Sequence, residues 1–546
     1  MDTATAARPS ASTDAALDFD AILVGAGISG MYVLHLLRQR GLKVRVFEAG
    51  TGVGGTWYWN RYPGCRFDSE SWSYGYSFSQ EVLDEWDWTE NFAPQPETER
   101  YLNFVADKFD LRRDIQFKSR VKAAHFDEGA NAWTITLEDG SSYRSRFFVP
   151  CVGPLSAPTY PKFEGIDSFK GQSCHTGLWP KEPVDFAGKR VAVIGTGATG
   201  VQAIQEIAKT AGSLTVFQRR PNWCTPLHNK KIAKEEMAEI RTRYPEIFEM
   251  CDKSASCFIH NIDPRSGLEV SEEERQAFWE NRYETPGFGI WMGNFRDMLT
   301  DRKVNRMLSD FVANKIRERV NDPETAELLI PTDHGFGTRR VPQETFYYEV
   351  YNQPNVELVS MLKTPIQRIT PTGLETTEKA YEFDIIVYAT GFDAITGSFD
   401  RIDIQGLNGL KLKEKWQGGP TTFVGIMVEG FPNMFMVVGP HTALGNIPRS
   451  IEYIAEWADG AIGFMVDKGH VFANPKQDAV DAWTGFVAKT AEGLLSNEID
   501  SWMTGVNMNV EGKQTRILAR YSGTAPAYRK WCDDVADGGY QEVVFR

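Results

Sequence analysis

FDAILVGAGISG, residues 19–30, decides the fold. Its first half is a short apolar run, the pattern of a strand buried on both faces. Three glycines follow, Gly25, Gly27 and Gly30, in the spacing Gly-x-Gly-x-x-Gly, with Ser29 just before the last. MYVLHLLRQR then keeps a helical period up to Gly41, and KVRVFEAG, residues 43–50, reads as the next strand. In a β-α-β unit of this kind the glycines allow a tight turn, let the backbone approach a pyrophosphate and let the helix close on the sheet. The helix N-terminus turns its amides toward the phosphates. Glu48 ends the second strand about 20 residues on, where a carboxylate accepts hydrogen bonds from both ribose hydroxyls of an adenosine without a 2′-phosphate. A plain glycine turn beside a surface glutamate is the simpler alternative, and the complete β-α-β context weighs against it.

GGTWYWNRYPG, residues 54–64, follows at once. Gly54 and Gly55 suggest a second close approach of backbone to ligand, and Trp57, Trp59 and Tyr62 offer flat surfaces beside a ring. FAD is long enough to need both segments. An aromatic-rich core loop is the alternative for this stretch alone. Residues 189–200, KRVAVIGTGATG, repeat the first motif with Gly195, Gly197 and Gly200, interleaved with Thr196, Ala198 and Thr199. The strand after it, SLTVFQRRP, ends in Arg219 and Arg220 where the first unit has its acid. A cation there pairs with a 2′-phosphate, which favours NADPH over NADH, unless Arg219 is only a solvated surface charge.

Composition bounds the rest. The chain has 546 residues, 73 acidic and 59 basic, for a formal charge of −14, which disfavours nucleic acid or an anionic membrane as the main partner. No apolar run reaches the roughly 18 residues of a membrane span. Residues 1–17, rich in Ala, Ser and Thr, are expected to be a disordered tail rather than a secretion signal. The cysteines (Cys65, Cys151, Cys174, Cys224, Cys251, Cys257 and Cys532) are scattered with no CxxC, which points to reduced thiols and a cytoplasmic protein. No histidine pair or paired CxxC suggests a metal.

Along the chain, residues 56–100 read as aromatic loop and a helix is expected from Tyr101. KSRVKAAHFDE, AWTITLEDG and SYRSRFFVPCVG read as strands. Residues 225–334 are charged and helical, with a capping box at Ser271 and Glu274. Strand signals resume at NVELVS and YEFDIIVYATGFDA. The expected fold class is α/β, two Rossmann-like dinucleotide-binding domains with a helical insertion. An FAD domain would take residues 18–154 and 393–546, an NADP domain residues 155–224 and 335–392, and the insertion residues 225–334. Two dinucleotide sites in one chain let NADPH deliver hydride to FAD, which leaves disulfide reduction, onward electron transfer or oxygen activation. A redox CysxxxxCys is missing from the FAD side, where only Cys65 precedes Cys151.

FKGQSCHTGLWP, residues 169–180, fits neither a strand nor a helix pattern. Its Phe169, Gly171, His175, Trp179 and Pro180 resemble the F-x-G-x-x-x-H-x-x-x-W-P signature of type I Baeyer–Villiger monooxygenases. Related monooxygenases of amines and sulfides lack the Trp-Pro ending. The resemblance runs from about Asp18 over nearly the whole chain, through GAGISG, GGTWYWNRYPG, GTGATG, FQRRP, FGTRR, YATGFD and SWMTG.

That resemblance implies NADPH- and O2-dependent oxidation of ketones to esters or lactones through a C4a-peroxyflavin and a Criegee intermediate, with sulfoxidation as a side activity. It implies that Arg340 is the catalytic arginine, Asp68 its carboxylate partner and Arg339 a 2′-phosphate contact. Arginine suits the first role because it stays protonated and donates several hydrogen bonds. Trp57, Tyr74, Val121 and Ile447 would join Gly25, Gly27, Ser29, Gly30, Glu48, Gly54, Gly55 and Asp68 at FAD. Gln202 and Trp502 would join the second glycine turn, Arg219, Arg220, Arg339 and Arg340 at NADP. His175 is expected to be a hydrogen-bonding strut in a joint that Trp179 and Pro180 stiffen. HTALG, residues 441–445, is shorter than the pattern of arylketone enzymes, which suggests room for cyclic or bulky ketones. The expected partners are a ketone and O2, in a monomer or weak homo-oligomer. The rival readings are oxidation mainly of sulfur or nitrogen and, more remotely, a non-catalytic nucleotide-binding flavoprotein.

Overall fold

The computed structural model describes residues 16–546, so the tail expected over residues 1–17 falls almost wholly outside the described residues. Two sheets organise the chain, the first mixed and the second all parallel. The first has seven strands in the order Asp403–Gln405, Val121–Asp127, Ala132–Leu137, Ser142–Pro150, Phe19–Val24, Val44–Phe47 and Ile115–Gln116. Phe19–Val24 pairs in parallel on both sides, with Val24 opposite Phe47 and Pro150. Ala21, Ile22 and Leu23 are fully buried, as a central strand covered on both faces requires. The three strands from Val121 to Pro150 form an antiparallel meander on one flank.

The second sheet is all parallel, in the order Val356–Ser360, Ser213–Gln218, Arg190–Ile194, Ile385–Tyr388 and Gln172–His175. Between Gln218 and Val356 the chain leaves the sheet and builds helices, among them Lys234–Thr242, Tyr244–Lys253, Glu272–Glu284, Arg302–Arg319 and Pro323–Leu329. It returns through Gln343–Glu344, which pairs with Thr225–Pro226. The chain passes back to the first sheet between Tyr388 and Asp403. The helix Ile447–Lys468 then lies along Ile28–Gln39, tied by Tyr32 OH to Glu456 at 2.7 Å and by Arg40 to Asp459 at 2.5 Å. Among the described residues no helix is long and apolar enough to cross a membrane.

Four local expectations need correction. Residues 169–180 are not irregular throughout: Gln172–His175 is an edge strand and Thr176–Leu178 a 3-10 turn. The strand is short, exposed at its start and polar, so it shows no apolar period. Residues 56–100 are not one loop, since Thr56–Trp59, Ser71–Tyr74 and Gln80–Glu85 are short helices. The helix expected from Tyr101 begins at Gln95, with Pro96 in its first turn, where a missing amide hydrogen costs nothing. Only half of the capping box forms: Ser271 Oγ accepts from Glu274 N at 3.1 Å, while the Glu274 carboxylate pairs with Arg265 at 2.6 Å.

Candidate active site

At the first glycine turn, Gly25 has φ +101°, and a Cβ there would lie 2.7 Å from the Cys151 carbonyl oxygen. A Cβ on Gly30 would lie 1.8 Å from the Gly25 carbonyl oxygen, so only glycine lets the helix close on the turn. Gly54 and Gly55 take φ +128° and +54°, and a Cβ on Gly55 would stand 2.8 Å from the Gly27 Cα. The two glycine segments therefore meet backbone to backbone. The buried Glu48 carboxylate accepts from Ala26 N at 2.8 Å and Gly50 N at 2.6 Å, which fixes it beside the turn. Burial raises its pKa, and the two amide bonds oppose that rise. Trp57 Nε1 donates to Tyr74 OH at 3.1 Å, and Tyr74 stacks on Phe67 at 4.1 Å. Ser29 is buried in the first helical turn, Val121 opens its strand and Ile447 opens the long helix. A glycine cradle, an anchored carboxylate and aromatic planes form a donor set that fits FAD.

The second turn repeats the geometry. Gly195 has φ +110° and would place a Cβ 2.4 Å from the Ala389 carbonyl oxygen; on Gly200 it would meet the Gly195 oxygen at 2.3 Å. Gly197 faces open space, with nothing within 4 Å of a Cβ built there, at the N-terminus of the helix Ala198–Ile207. That opening in front of free helix amides fits a pyrophosphate. Thr196 Oγ1 donates to the Arg220 carbonyl at 3.1 Å, and Thr199 Oγ1 meets Thr176 Oγ1 at 3.0 Å. Arg219 and Arg220 are exposed at the strand end. Sequence reasoning missed Asp333, which accepts from Arg220 at 3.1 Å, Arg339 at 3.2 Å and His334 Nδ1 at 2.7 Å. Arg339 also donates to the Asp500 carbonyl at 3.0 Å. Two residues on, Trp502 opens a 3-10 turn held by a capping box between Ser501 and Thr504.

Arg340 Nη2 donates to Asp68 Oδ2 at 2.6 Å. The Asp68 side chain is 1% exposed and that of Arg340 is 30% exposed, so the carboxylate is the fixed partner and the guanidinium reaches outward. Gln343 N lies 3.4 Å from the same oxygen. Gln202 Nε2 donates to the Arg66 carbonyl at 3.0 Å and to Asp68 Oδ1 at 3.3 Å, and its Oε1 accepts from Tyr62 OH at 2.8 Å. Gln202 thus joins the second glycine helix to the segment that carries Asp68. The Arg340 guanidinium also stands 5.7 Å above the Phe288 ring, which brings the helical insertion to the pair. Two residues past Asp68, buried Glu70 accepts from His260 at 2.9 Å. No local pattern announces this pair, because its partners come from distant segments.

His175 is 1% exposed, and burial lowers its pKa to about 4, so it is neutral at physiological pH. Its Nδ1 accepts from Gly177 N at 3.0 Å, which puts the ring proton on Nε2, facing the Thr159 carbonyl at 3.2 Å and Thr390 Oγ1 at 3.3 Å. Gly171 is required by crowding, since a Cβ there would lie 2.5 Å from both the Asp384 carbonyl oxygen and the Phe169 ring. Trp179 is buried against Phe186, with Pro180 next to it in the chain.

A family model described as flavin-binding monooxygenase-like matches residues 20–247. The chain is 47% identical to 2-oxo-Δ3-4,5,5-trimethylcyclopentenylacetyl-CoA monooxygenase of Pseudomonas putida, over 95% of this chain and 97% of that protein. It is 41% identical to the methyl acetate-forming acetone monooxygenase of Gordonia sp., over 96% of this chain and 98% of that protein. The crystal structure of OTEMO in complex with FAD and NADP superposes with a TM-score of 0.94 at 47% identity, over 97% of this chain and 100% of that one. The chain belongs to the Baeyer–Villiger monooxygenases, flavoproteins that use FAD and NADPH.

Proposed function

We propose that the enzyme converts cyclic or bulky ketones to lactones or esters at a site built around Arg340 and Asp68. The observation that carries this reading is their 2.6 Å ion pair, where the segment after Gly54 and Gly55 meets the second glycine helix through Gln202 and the insertion through Phe288. FAD, reduced by NADPH and charged with O2, supplies the oxygen atom that enters the ketone. In this reading residues 18–154 and 393–546 bind FAD through Gly25, Gly27, Ser29, Gly30, Glu48, Gly54, Gly55, Trp57, Tyr74, Val121 and Ile447. Residues 155–224 and 335–392 bind NADPH through the Gly195–Gly200 turn, Arg219, Arg220 and Arg339, with Trp502 close by.

Arg340 presents several guanidinium donors to the negative charge that builds on oxygen as the carbonyl is attacked. Asp68, buried and held by Gln202 and Gln343, aims the guanidinium. The Phe288 ring lies 5.7 Å from the guanidinium and offers it an aromatic face. Gln202 ties movement of the second glycine helix to the position of Asp68. His175 acts as a strut rather than a proton donor, because both ring nitrogens are engaged by the surrounding backbone.

HTALG supports the preference for larger or cyclic ketones. Asn446 N donates to the Ser256 carbonyl at 2.9 Å and Asn446 Nδ2 to the Ser73 carbonyl at 3.1 Å, while His441 Nε2 meets the Leu518 carbonyl at 2.9 Å. A short loop pinned on three sides cannot bulge into the space beside it. Seven buried free cysteines suit a reducing, cytoplasmic setting, and we take the working unit to be a monomer or weak homo-oligomer. A panel of cyclic, bulky and arylacetone ketones with purified enzyme, NADPH and O2, read by product mass, tests the substrate class. Turnover confined to arylacetones would contradict it.

A further inference from the structure

Asp333 stands inside the cationic cluster at the end of the second Rossmann unit. Its side chain is 30% exposed; Oδ1 accepts from His334, and Oδ2 accepts from both Arg220 and Arg339. Burial works against its charge, yet His334, Arg339 and Arg220 hold its carboxyl far below the usual range, so it is an anion whenever the enzyme works. Two donors around it remain open. Arg339 Nε is buried without a partner among the described residues, and Arg219 makes no ion pair among them.

We propose that Asp333 is a specificity-determining residue for the nicotinamide dinucleotide, whose fixed negative charge opposes the 2′-phosphate and weakens its binding. The inference rests on the reading of Arg219, Arg220 and Arg339 as the 2′-phosphate site. A phosphate bonded to Arg220 and Arg339 lies one guanidinium away from the Asp333 carboxylate. Two anions at that separation in a part-exposed site repel, and both draw on the same two cations. A dinucleotide without the 2′-phosphate does not meet this repulsion.

Asp333 also orients the arginines, so its removal has two opposed effects. The geometry says which is larger. Arg339 keeps its bond to the Asp500 carbonyl, and the Arg220 backbone keeps its bond from Thr196 Oγ1. The Arg339 guanidinium is therefore anchored without Asp333, while that of Arg220, released from the carboxylate, is left to the phosphate, and the loss of repulsion dominates. The role is one of tuning: the carboxylate limits how long oxidised dinucleotide is retained by its phosphate.

The test is direct titration of FAD-loaded protein with NADP+ and with NAD+, by calorimetry or by the shift in flavin absorbance. Asp333→Asn, which keeps the hydrogen-bonding shape, should lower the Kd for NADP+ about three- to ten-fold and leave that for NAD+ within about two-fold. Asp333→Ser, a smaller neutral side chain, repeats the test if Asn disturbs folding, and should likewise lower the Kd for NADP+ while leaving that for NAD+ within about two-fold. An unchanged or higher Kd for NADP+, or equal shifts for the two dinucleotides, overturns the proposal. Arg339→Ala is the control, expected to raise the Kd for NADP+ alone. If it does not, the phosphate-site reading fails, whatever Asp333 does.

Discussion

Arg340 and Asp68 lie 272 residues apart in sequence and 2.6 Å apart in space. Asp68 follows the second glycine segment of the first unit, and Arg340 follows the helical insertion of the second. The pair joins a segment of the first unit to one that follows the insertion, so the role proposed for Arg340 would be tied to correct assembly of both units.

Replacing Arg340 with Ala removes the cation and leaves both glycine turns intact. Reduction of bound flavin by NADPH, followed by stopped-flow absorbance, should stay within a few-fold of the parent. Ester formation should fall by at least about 100-fold, the scale of losing one donor to a developing oxyanion. Retained ester formation would remove Arg340 from the mechanism. Asp68→Asn should show a smaller loss, because the arginine remains but is no longer aimed by a charge.

Arg219→Ala tests the phosphate contact from the other side. A charge-assisted bond to phosphate contributes on the order of 1.5–3 kcal/mol, so the KM for NADPH should rise about 10- to 100-fold. The KM for NADH should move little. Equal changes for both would return Arg219 to the status of a solvated surface charge.

Gly30→Ala tests the first turn. The added Cβ would sit 1.8 Å from the Gly25 carbonyl oxygen, so the turn and the helix must separate. Overpacking of this kind costs about 1–3 kcal/mol, and the turn that would receive the pyrophosphate is lost with it. The purified variant should have a lower Tm and little visible flavin absorbance. A fully yellow variant would mean that the turn does not carry FAD.

His175 and His441 are both buried, and burial depresses the pKa of each to about 4 from an ordinary value near 6.5. Above pH 6.5 each is neutral in the folded and unfolded chain and makes no difference to stability. As pH falls below 6.5 the unfolded chain binds protons that the folded chain refuses, and stability drops until about pH 4. The loss is roughly 3 kcal/mol for each histidine over that window. Thermal unfolding between pH 7 and 4 should show this fall, and His175→Gln should make it shallower. The same variant should keep its FAD but leak more hydrogen peroxide if the strut sets the joint. An unchanged pH slope and an unchanged leak would make His175 a spacer.

The two glycine turns were legible because their rules are local: strand, turn and helix lie within one stretch of chain, and the acid or arginine lies at the end of the next strand. Glu48, Arg219 and Arg220 fall where that logic puts them. Asp68 and Arg340 could not be paired from spacing, since nothing local joins them, and only a family resemblance brought them together. Gln202 was expected at the nicotinamide dinucleotide; the structure shows it bonded to Asp68 and Tyr62, a contact between elements that no periodicity encodes. Asp333, His260 and Glu70 were missed for the same reason. The strand Gln172–His175 escaped notice because an edge strand need not be apolar. The start of the helix at Gln95 was hidden by prolines that interrupt the pattern but suit a first turn.

If Arg340 has the role proposed, one oxygen atom from O2 enters the ketone beside its carbonyl carbon under the control of that residue. The most direct measurement is turnover of a cyclic ketone with NADPH under isotopically heavy O2, with the product fragmented by mass spectrometry. The expected product is a lactone with one heavy atom, in the ring oxygen, and Arg340→Ala should give no such product. NADPH consumption that yields only hydrogen peroxide, or a lactone whose new oxygen comes from water, would contradict it.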